Sequence, residues 1–411
     1  MPLDPVIATT SLDAPCPAAG VVMRAAMVRT FEFTCILVAR PAPGEKRMLT
    51  QRALFTAFIG SITVLIACHT PNSASFGVRP MAWPAPAPGR THTITPTPQT
   101  VAWGWYDAAG TPVLRVNSGD EVVVRALSTC SPTSLRRAGL DSSRVEKLAY
   151  DIYTARPSMK TGPGGHILTG PIYVEGADSG DVLEVRFKAI KPAIDYACNG
   201  FSSRSGFLPE DFPGEQRTKI IELDTVRMVG HFGDGITLPL HPFFGSVGVA
   251  PPASMGRVNS APPGIHAGNL DNKELVAGST LYIPVWTKGA LLEIGDGHAG
   301  QGNGDVDITA LETSLVGDLQ LVVRKDMQLT WPRAETPTHY IAMGIDKDLV
   351  QATKLAVRQA IELLVQVKKM SREDAYQLVS VAGDVDITQL VDGTVGVHVM
   401  IPKAIFSNSV R

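Results

Sequence analysis

The sequence predicts a mainly β fold with helices confined to its C-terminal part, an α+β architecture. Three observations carry this expectation. Of 411 residues, 38 are Gly and 31 are Pro, while charged residues make up only 18%, against about 25% in an average domain. Apolar and polar residues alternate in short runs from Val101 onward, the pattern of half-buried strands. A helical period sustained over several turns first emerges near residue 346. A chain rich in Gly and Pro and poor in charge is built of short strands and many turns, not of helical bundles.

The elements follow in order. Residues 112–125 read as two short strands around a Ser118-Gly119-Asp120 turn. Gly180 and Asp181 make a similar turn, after which Val182, Glu184 and Arg186 alternate with Leu183, Val185 and Phe187. Residues 281–286 and 319–324 are further strands, and Pro284 places the first of them at a sheet edge or bulge. In 346–369, Val350, Thr353, Val357, Ala360, Leu364 and Val367 share one helical face. Asp346 or Asp348 can cap its start, and Lys368 and Lys369 suit its C-terminal end. Ser371 to Asp374 open a second helix in the manner of a capping box, with Ala375, Leu378 and Val379 inward. Helices thus cover about 346–382.

The N-terminal part reads as targeting rather than fold. Arg52 precedes an uncharged apolar run, 53–68, which suits the hydrophobic region of an export signal. It is short for a spanning helix of roughly 20 residues. Its end, Leu65-Ile66-Ala67-Cys68, resembles a bacterial lipobox, in which the cysteine is lipidated. The expected organisation is a 1–47 extension (with Met48 as the alternative start), a signal at 48–68, a Pro/Thr-rich tether at 69–100 and a catalytic region at 101–411. The expected location is exported, periplasmic or anchored to a membrane through Cys68, and cytoplasmic if the signal is not used.

Charge and cysteines narrow the function. With 37 basic and 39 acidic residues the net charge is −2, which lacks the basic surface that nucleic-acid binding requires. The cysteines at 16, 35, 68, 130 and 198 include no Cys-x-x-Cys pair, so a zinc ribbon or thioredoxin-type site is excluded. Whether Cys130 and Cys198 pair is open at this level.

The densest polar cluster is 290–307. Asp296 and His298 stand two apart at the end of a strand that is expected to stop at Ile294, so extended backbone points them to one side. Gly295, Gly297, Gly300, Gly302 and Gly304 let the backbone turn tightly and approach a ligand. Gln301, Asp305, Asp307 and Glu312 follow. Carboxylates beside an imidazole can hold a divalent metal or act as a base on water. A glycine-rich turn bearing surface acids is the competing reading. Three more loops carry a histidine beside a strand: Gly164-Gly165-His166, His241 with Phe243 and Phe244, and His266 with Asn269 and Asp271. No Gly-x-Ser-x-Gly, His-Glu-x-x-His or Walker sequence occurs.

These stretches resemble the acetamidase/formamidase family over about 100–407. The likeness rests on Thr169-Gly170-Pro171 through Val185, Pro242 to Gly245 with Gly248 to Pro252, Gly268 to Leu275, and Gly295-Asp296-Gly297-His298 through Gly302. The resemblance implies hydrolysis of a small carboxamide to ammonia and a carboxylate, a β-rich homo-oligomeric fold, and a divalent metal such as zinc or calcium. It implies Asp271, Asp296 and His298 for metal ligation or for orienting water, and Asp305 or Glu312 as proton carrier. Asn269 and Gln301 would bind the amide, with His241 and His166 as further site residues. The chain departs from the family where Asp305 stands in place of glutamate and Asn303 in place of aspartate. A non-catalytic exported lipoprotein that binds a small polar ligand is the alternative.

Overall fold

Strands with one apolar face must bury it against another layer, and here two sheets do so against each other. One sheet runs, neighbour by neighbour, Ala267–Asn269, Phe243–Gly248, Leu292–His298, Ile167–Glu175 and Val101–Trp103, with Leu114–Asn117 added in parallel beside Ile167–Glu175. The other has nine strands in the order Asp384–Gln389, Val395–Pro402, His339–Asp346, Arg333–Glu335, Thr280–Pro284, Val182–Pro192, Leu315–Arg324, Glu121–Ala126 and Thr91–Ile94. Phe244, Val247 and Ile294 of the first share one core with Val185, Leu319 and Ile341 of the second. Phe187 and Phe244 meet across it, ring centroids 6.4 Å apart. This computed structural model describes residues 89–407 and, outside them, only the pairing of Arg24–Ala25 with Cys35–Ile36. The expected signal at 48–68 with Cys68, and most of the expected tether, lie outside the described residues.

The mainly β expectation holds, with refinements. The strands flanking Ser118-Gly119-Asp120 do not pair with each other. Leu114–Asn117 joins the first sheet and Glu121–Ala126 the second, so the turn is a corner between layers. Thr91–Ile94, inside the stretch read as tether, pairs in parallel with Glu121–Ala126, so the folded body begins before residue 101. Thr280–Pro284 is an interior strand, not an edge or bulge. Pro284 is tolerated because it is the last residue, beyond the three positions paired to Arg333–Glu335.

Two helices form where the pattern placed them, at Leu349–Lys368 and Arg372–Ala382, but two shorter ones, Pro132–Arg137 and Lys147–Ala155, lie outside the C-terminal part to which the pattern confined helices. Asp348 caps the first by accepting from the Gln351 amide, and Ser371 caps the second. The buried face of Leu349–Lys368 matches the expected one only in part. Ala360 and Leu364 lie inward as expected and Val357 and Val367 are partly buried, but Ala352, Ala356, Ile361 and Leu363 join them inward while Val350 is 57% exposed. The reason is close packing: a Cβ on Gly344 would stand 2.2 Å from the Ala352 carbonyl oxygen. Only small residues fit a helix laid that near a sheet, and hydropathy alone favours Val over Ala.

A third, four-stranded antiparallel sheet carries Tyr196–Ser202, Gln216–Asp224, Val229–Gly233 and Ile236–Pro239. Its first strand holds Cys198, disulfide-bonded to Cys130 with Cα atoms 6.4 Å apart.

Candidate active site

Three adjacent strands build the site. The middle one, Phe243–Gly248, pairs on one side with Ala267–Asn269 and on the other with Leu292–His298. Gly245 sits at its centre. A Cβ there would lie 2.5 Å from Asp271 Oδ1, 2.6 Å from Asp296 Oδ2 and 2.6 Å from His298 Cε1. The missing side chain is therefore the space into which the flanking strands send their polar groups. The strand bearing Asp296 and His298 runs on to His298 instead of stopping at Ile294. Its other face is pressed close, since a Cβ on Gly297 would meet the Thr313 carbonyl oxygen at 2.3 Å. Asp271, Asp296 and Asp305 all have positive φ, at 48°, 58° and 45°. Such backbone is costly for residues other than Gly and concentrates at functional positions.

All of the expected central residues converge. His298 Nε2 lies 3.2 Å from Asp296 Oδ2 and 3.2 Å from Glu312 Oε1, and its Nδ1 lies 3.8 Å from Asp271 Oδ1. These are ion-pair distances without hydrogen-bond geometry, and both ring nitrogens lack a hydrogen-bond partner. Phe243 packs edge-on against the imidazole, centroids 5.0 Å apart. Asn269 Nδ2 donates to Asp271 Oδ2 at 2.8 Å, and Gln301 Nε2 donates to the Asp271 carbonyl at 3.0 Å. Glu312 accepts from the Ala310 amide at 2.9 Å and from the Thr129 hydroxyl at 2.5 Å. His166 stands at the edge of the group, with Nε2 3.8 Å from Asp296 Oδ2 and Nδ1 2.9 Å from Ser260 Oγ. His241 is not in the cluster. It lines a cleft of about 710 Å³ together with Asn199, Gln301, Asn303, Asp305 and Ala310. Asp271, Asp296 and His298 do not line that cleft, so Gln301 and Asp305 form the boundary between it and the buried group.

Sequence reasoning missed Asp392. It is buried in the loop before Val395–Pro402 and forms, with Asp271 and Asp305, a second group whose ligand atoms lie within 4.8 Å of one another. The hairpin is docked by the Leu390 amide donating to the Gly304 carbonyl at 3.1 Å. An Asp-Gly turn between strands looks ordinary in sequence, and nothing local marks it. His266, in one of the histidine-bearing loops, packs against Tyr106, ring centroids 4.9 Å apart, and stands outside the cluster. Burial lowers its pKa to about 4, so it is neutral at ordinary pH.

The electrostatics are those of crowded anions. Burial, then Asp392, Asp305 and Asp296, push Asp271 well above the usual carboxylate range. Burial and Asp392 raise Asp305 to about 8, and burial raises Asp392 to about 6. Burial would also raise Asp296, but His298 and His166 outweigh it and hold it down to about 2. His298 is pulled down by burial and more strongly up by Glu312 and Asp296, so it ends well above its ordinary value.

One consequence is testable on the metal-free chain. Asp305 and Asp392 titrate at about 8 and about 6 when folded, against 3.8 for a free side chain. Between those limits the folded state holds more protons than the unfolded one. Their contribution to stability is therefore complete below the free value and is lost as pH rises through the folded values. Melting temperatures measured in chelator from pH 4 to 9 should fall as pH rises. A flat or rising series across that window would contradict the burial of these carboxyls.

The donors fit a divalent cation. Asp271, Asp296 and His298 offer two oxygens and a nitrogen within 4.8 Å of one another, all buried. Asp271 Oδ1, both nitrogens of His298, Asp305 Oδ1 and Asp392 Oδ2 have no hydrogen-bond partner. Buried polar atoms are normally satisfied; of this orphaned set, Asp271 Oδ1 and the His298 ring border the space above Gly245, and Asp305 and Asp392 join it through Asp271.

Known proteins share the sequence pattern and the fold. A sequence model of the Acetamidase/Formamidase family matches residues 158–260 and 256–408. The chain is 27% identical over 320 residues to a formamidase of Methylophilus methylotrophus, an alignment covering 60% of this chain and 78% of that one. Among solved structures, it superposes on an acetamidase from Bacillus halodurans with a TM-score of 0.65 at 27% identity, covering 77% of this chain and 98% of that one. It matches an acetamidase from Yersinia enterocolitica with a TM-score of 0.65 at 28% identity, covering 78% and 94%.

Proposed function

Because the chain belongs to the acetamidase/formamidase family, we propose that it hydrolyses small linear carboxamides to ammonia and a carboxylate, with the chemistry at Asp271, Asp296 and His298. The observation that carries this assignment of the site is the convergence of those three side chains over Gly245. The family relationship favours hydrolysis over the ligand-binding alternative.

Each residue's role follows from what its atoms have left to offer. Asn269 and Gln301 each commit an amide N–H to Asp271, while Asn269 Oδ1 and Gln301 Oε1 lack partners. They are therefore suited to accept N–H groups of the substrate carboxamide. Glu312 has its carboxylate engaged by Thr129, Ala310 and His298, so it positions the imidazole. Asp305 lines the cleft with one oxygen free and a raised pKa, which suits a proton carrier near neutral pH. In this scheme a water oxygen attacks the carbonyl carbon while Asp305 takes its proton. Asp305 then returns that proton to the departing nitrogen, the C–N bond breaks, and ammonia and the carboxylate leave.

A divalent cation held by Asp271, Asp296 and His298 would supply positive charge that polarises the carbonyl and acidifies water. The imidazole in that set favours zinc, whereas calcium, an oxygen-seeking cation, finds an all-oxygen set in Asp271, Asp305 and Asp392. An exported location with Cys68 as lipid anchor is part of the proposal, and the Cys130–Cys198 disulfide supports an oxidising compartment. A homo-oligomer is supported by Phe207, Leu208 and Phe212, exposed together on one loop.

The test is ammonia release across an amide series of rising size, with and without chelator. Release should be greatest for formamide- and acetamide-sized substrates and should fall on chelation. No release from any amide at high enzyme concentration would refute the assignment. Release unaffected by chelator would refute metal assistance alone.

A further inference from the structure

The Cys130–Cys198 disulfide lies directly behind the site. The Cys198 amide donates to the Glu312 carbonyl at 2.9 Å, and the Glu312 amide donates to the Cys198 carbonyl at 2.9 Å. Cys198 and Glu312 thus form an antiparallel bridge, and Glu312 forms another with His298. Cys130 Sγ is 3.9 Å from the Glu312 carbonyl oxygen. The residue before Cys130 is Thr129, whose hydroxyl donates to Glu312 Oε2 at 2.5 Å. Thr129 belongs to no strand or helix. Besides these, single hydrogen bonds hold the turn: the Tyr153 hydroxyl, from the helix Lys147–Ala155, donates to the Thr129 carbonyl, the Cys130 amide donates to Ser128 Oγ, and the Ser128 amide donates to Ser314 Oγ. One covalent bond therefore fastens both holders of Glu312, the backbone partner at 198 and the hydroxyl at 129.

We propose that the Cys130–Cys198 disulfide is a positioning element for Glu312, and through it for His298, so that amide hydrolysis is sensitive to thiol reduction. The inference rests on the hydrolysis reading and extends it. Loss of the bond frees the Thr129 turn to move away from the carboxylate. Glu312 then loses its hydroxyl donor, its backbone pairing to residue 198 loosens, and the imidazole loses a fixed anion beside Nε2. Groups that support a site from behind typically change activity by about 10–100-fold when removed. The disulfide also stabilises the fold, but a bond that served stability alone would leave kcat unchanged wherever the reduced chain stays folded.

The experiment uses the full chain, reduced with a phosphine, which takes up oxygen as the disulfide gains two electrons and two protons. Both cysteines are 6% exposed, so a Cys130→Ser, Cys198→Ser double variant is measured in parallel. The expected result is a kcat on formamide lowered by about tenfold or more at a temperature where the fold is intact, with KM little changed. Thr129→Val keeps both cysteines and should lower kcat to a similar degree. Reducing Thr129→Val should add little, because both changes remove the same support. Hydrogen exchange of residues 309–314 should rise on reduction, and this readout does not require activity.

Several results would overturn the proposal. These are an unchanged kcat after complete reduction, an unchanged kcat in Thr129→Val, or full multiplication of the two effects. If the oxidised chain hydrolyses no amide, the hydrolysis reading fails separately. Exchange at 309–314 then decides the positioning role, and unchanged protection on reduction sinks it.

Discussion

Replacing His298 by alanine is expected to lower kcat/KM for formamide by at least about a thousandfold, the order seen when a central catalytic group is removed. His298 is where the site's charges meet, at 3.2 Å from both Asp296 and Glu312 and 3.8 Å from Asp271. Its substitution removes the one nitrogen donor of the set and leaves three buried carboxyls facing one another. They respond by holding protons, so Asp296 loses the low pKa that His298 chiefly maintains. The backbone of 292–298 remains paired to strands on both sides, so a folded product with an unchanged circular dichroism spectrum is expected. Activity within tenfold of the wild type would remove His298 from the reaction.

Gly245→Ala is expected to be nearly as damaging, although it adds a single methyl group. Gly245 does not have positive φ, so alanine suits its backbone and the effect isolates the cradle. The new Cβ would stand 2.5–2.6 Å from Asp271, Asp296 and His298, far inside contact distance. The three side chains must spread, and displacements on the scale of about 1 Å cost about a hundredfold in catalysis. Titration calorimetry with zinc should show weakened binding alongside the lost rate. Full zinc affinity and full rate in this variant would place the metal and the chemistry elsewhere.

Much of this site is legible in the sequence, for a physical reason. Asp296 and His298 share a strand and point to one side, and Asn269 and Asp271 share one turn, so local spacing predicts their neighbourhood. Asp392 and Thr129 reach the cluster only because strands distant in sequence pack together. Thr129 is one of three hydroxyl residues around a cysteine, with Ser128 and Ser131, and Asp392 precedes a glycine in an ordinary hairpin. Their meaning lies in the contacts that tertiary structure supplies. Gly245 lies in a stretch that carries the family resemblance, yet its role is visible only when the side chains across it are placed. The fold shows the same divide. Alternation locates strands, and caps locate both C-terminal helices but not Pro132–Arg137 and Lys147–Ala155. Periodicity does not say that Leu114–Asn117 and Glu121–Ala126 part into different sheets. Nor does it say that the helix at Leu349–Lys368 seats its alanines rather than its valines on Gly344.

The departure at Asp305 also has a physical setting. A carboxylate one carbon shorter than the glutamate that the sequence resemblance implies is held between the cleft and the buried group, with Asp271 and Asp392 beside it. Its backbone lies in the left-handed region, at a φ of 45°.

Whether Asp271, Asp296 and His298 form a metal-assisted amidase centre is decided by ammonia release from formamide, measured on the purified full chain and on His298→Ala at equal concentration. The wild type should turn over, lose that turnover when divalent metal is removed and regain it when metal is returned, while the variant should release ammonia at least about a thousandfold more slowly. Equal release by both proteins, or none by either under any metal, would contradict the assignment.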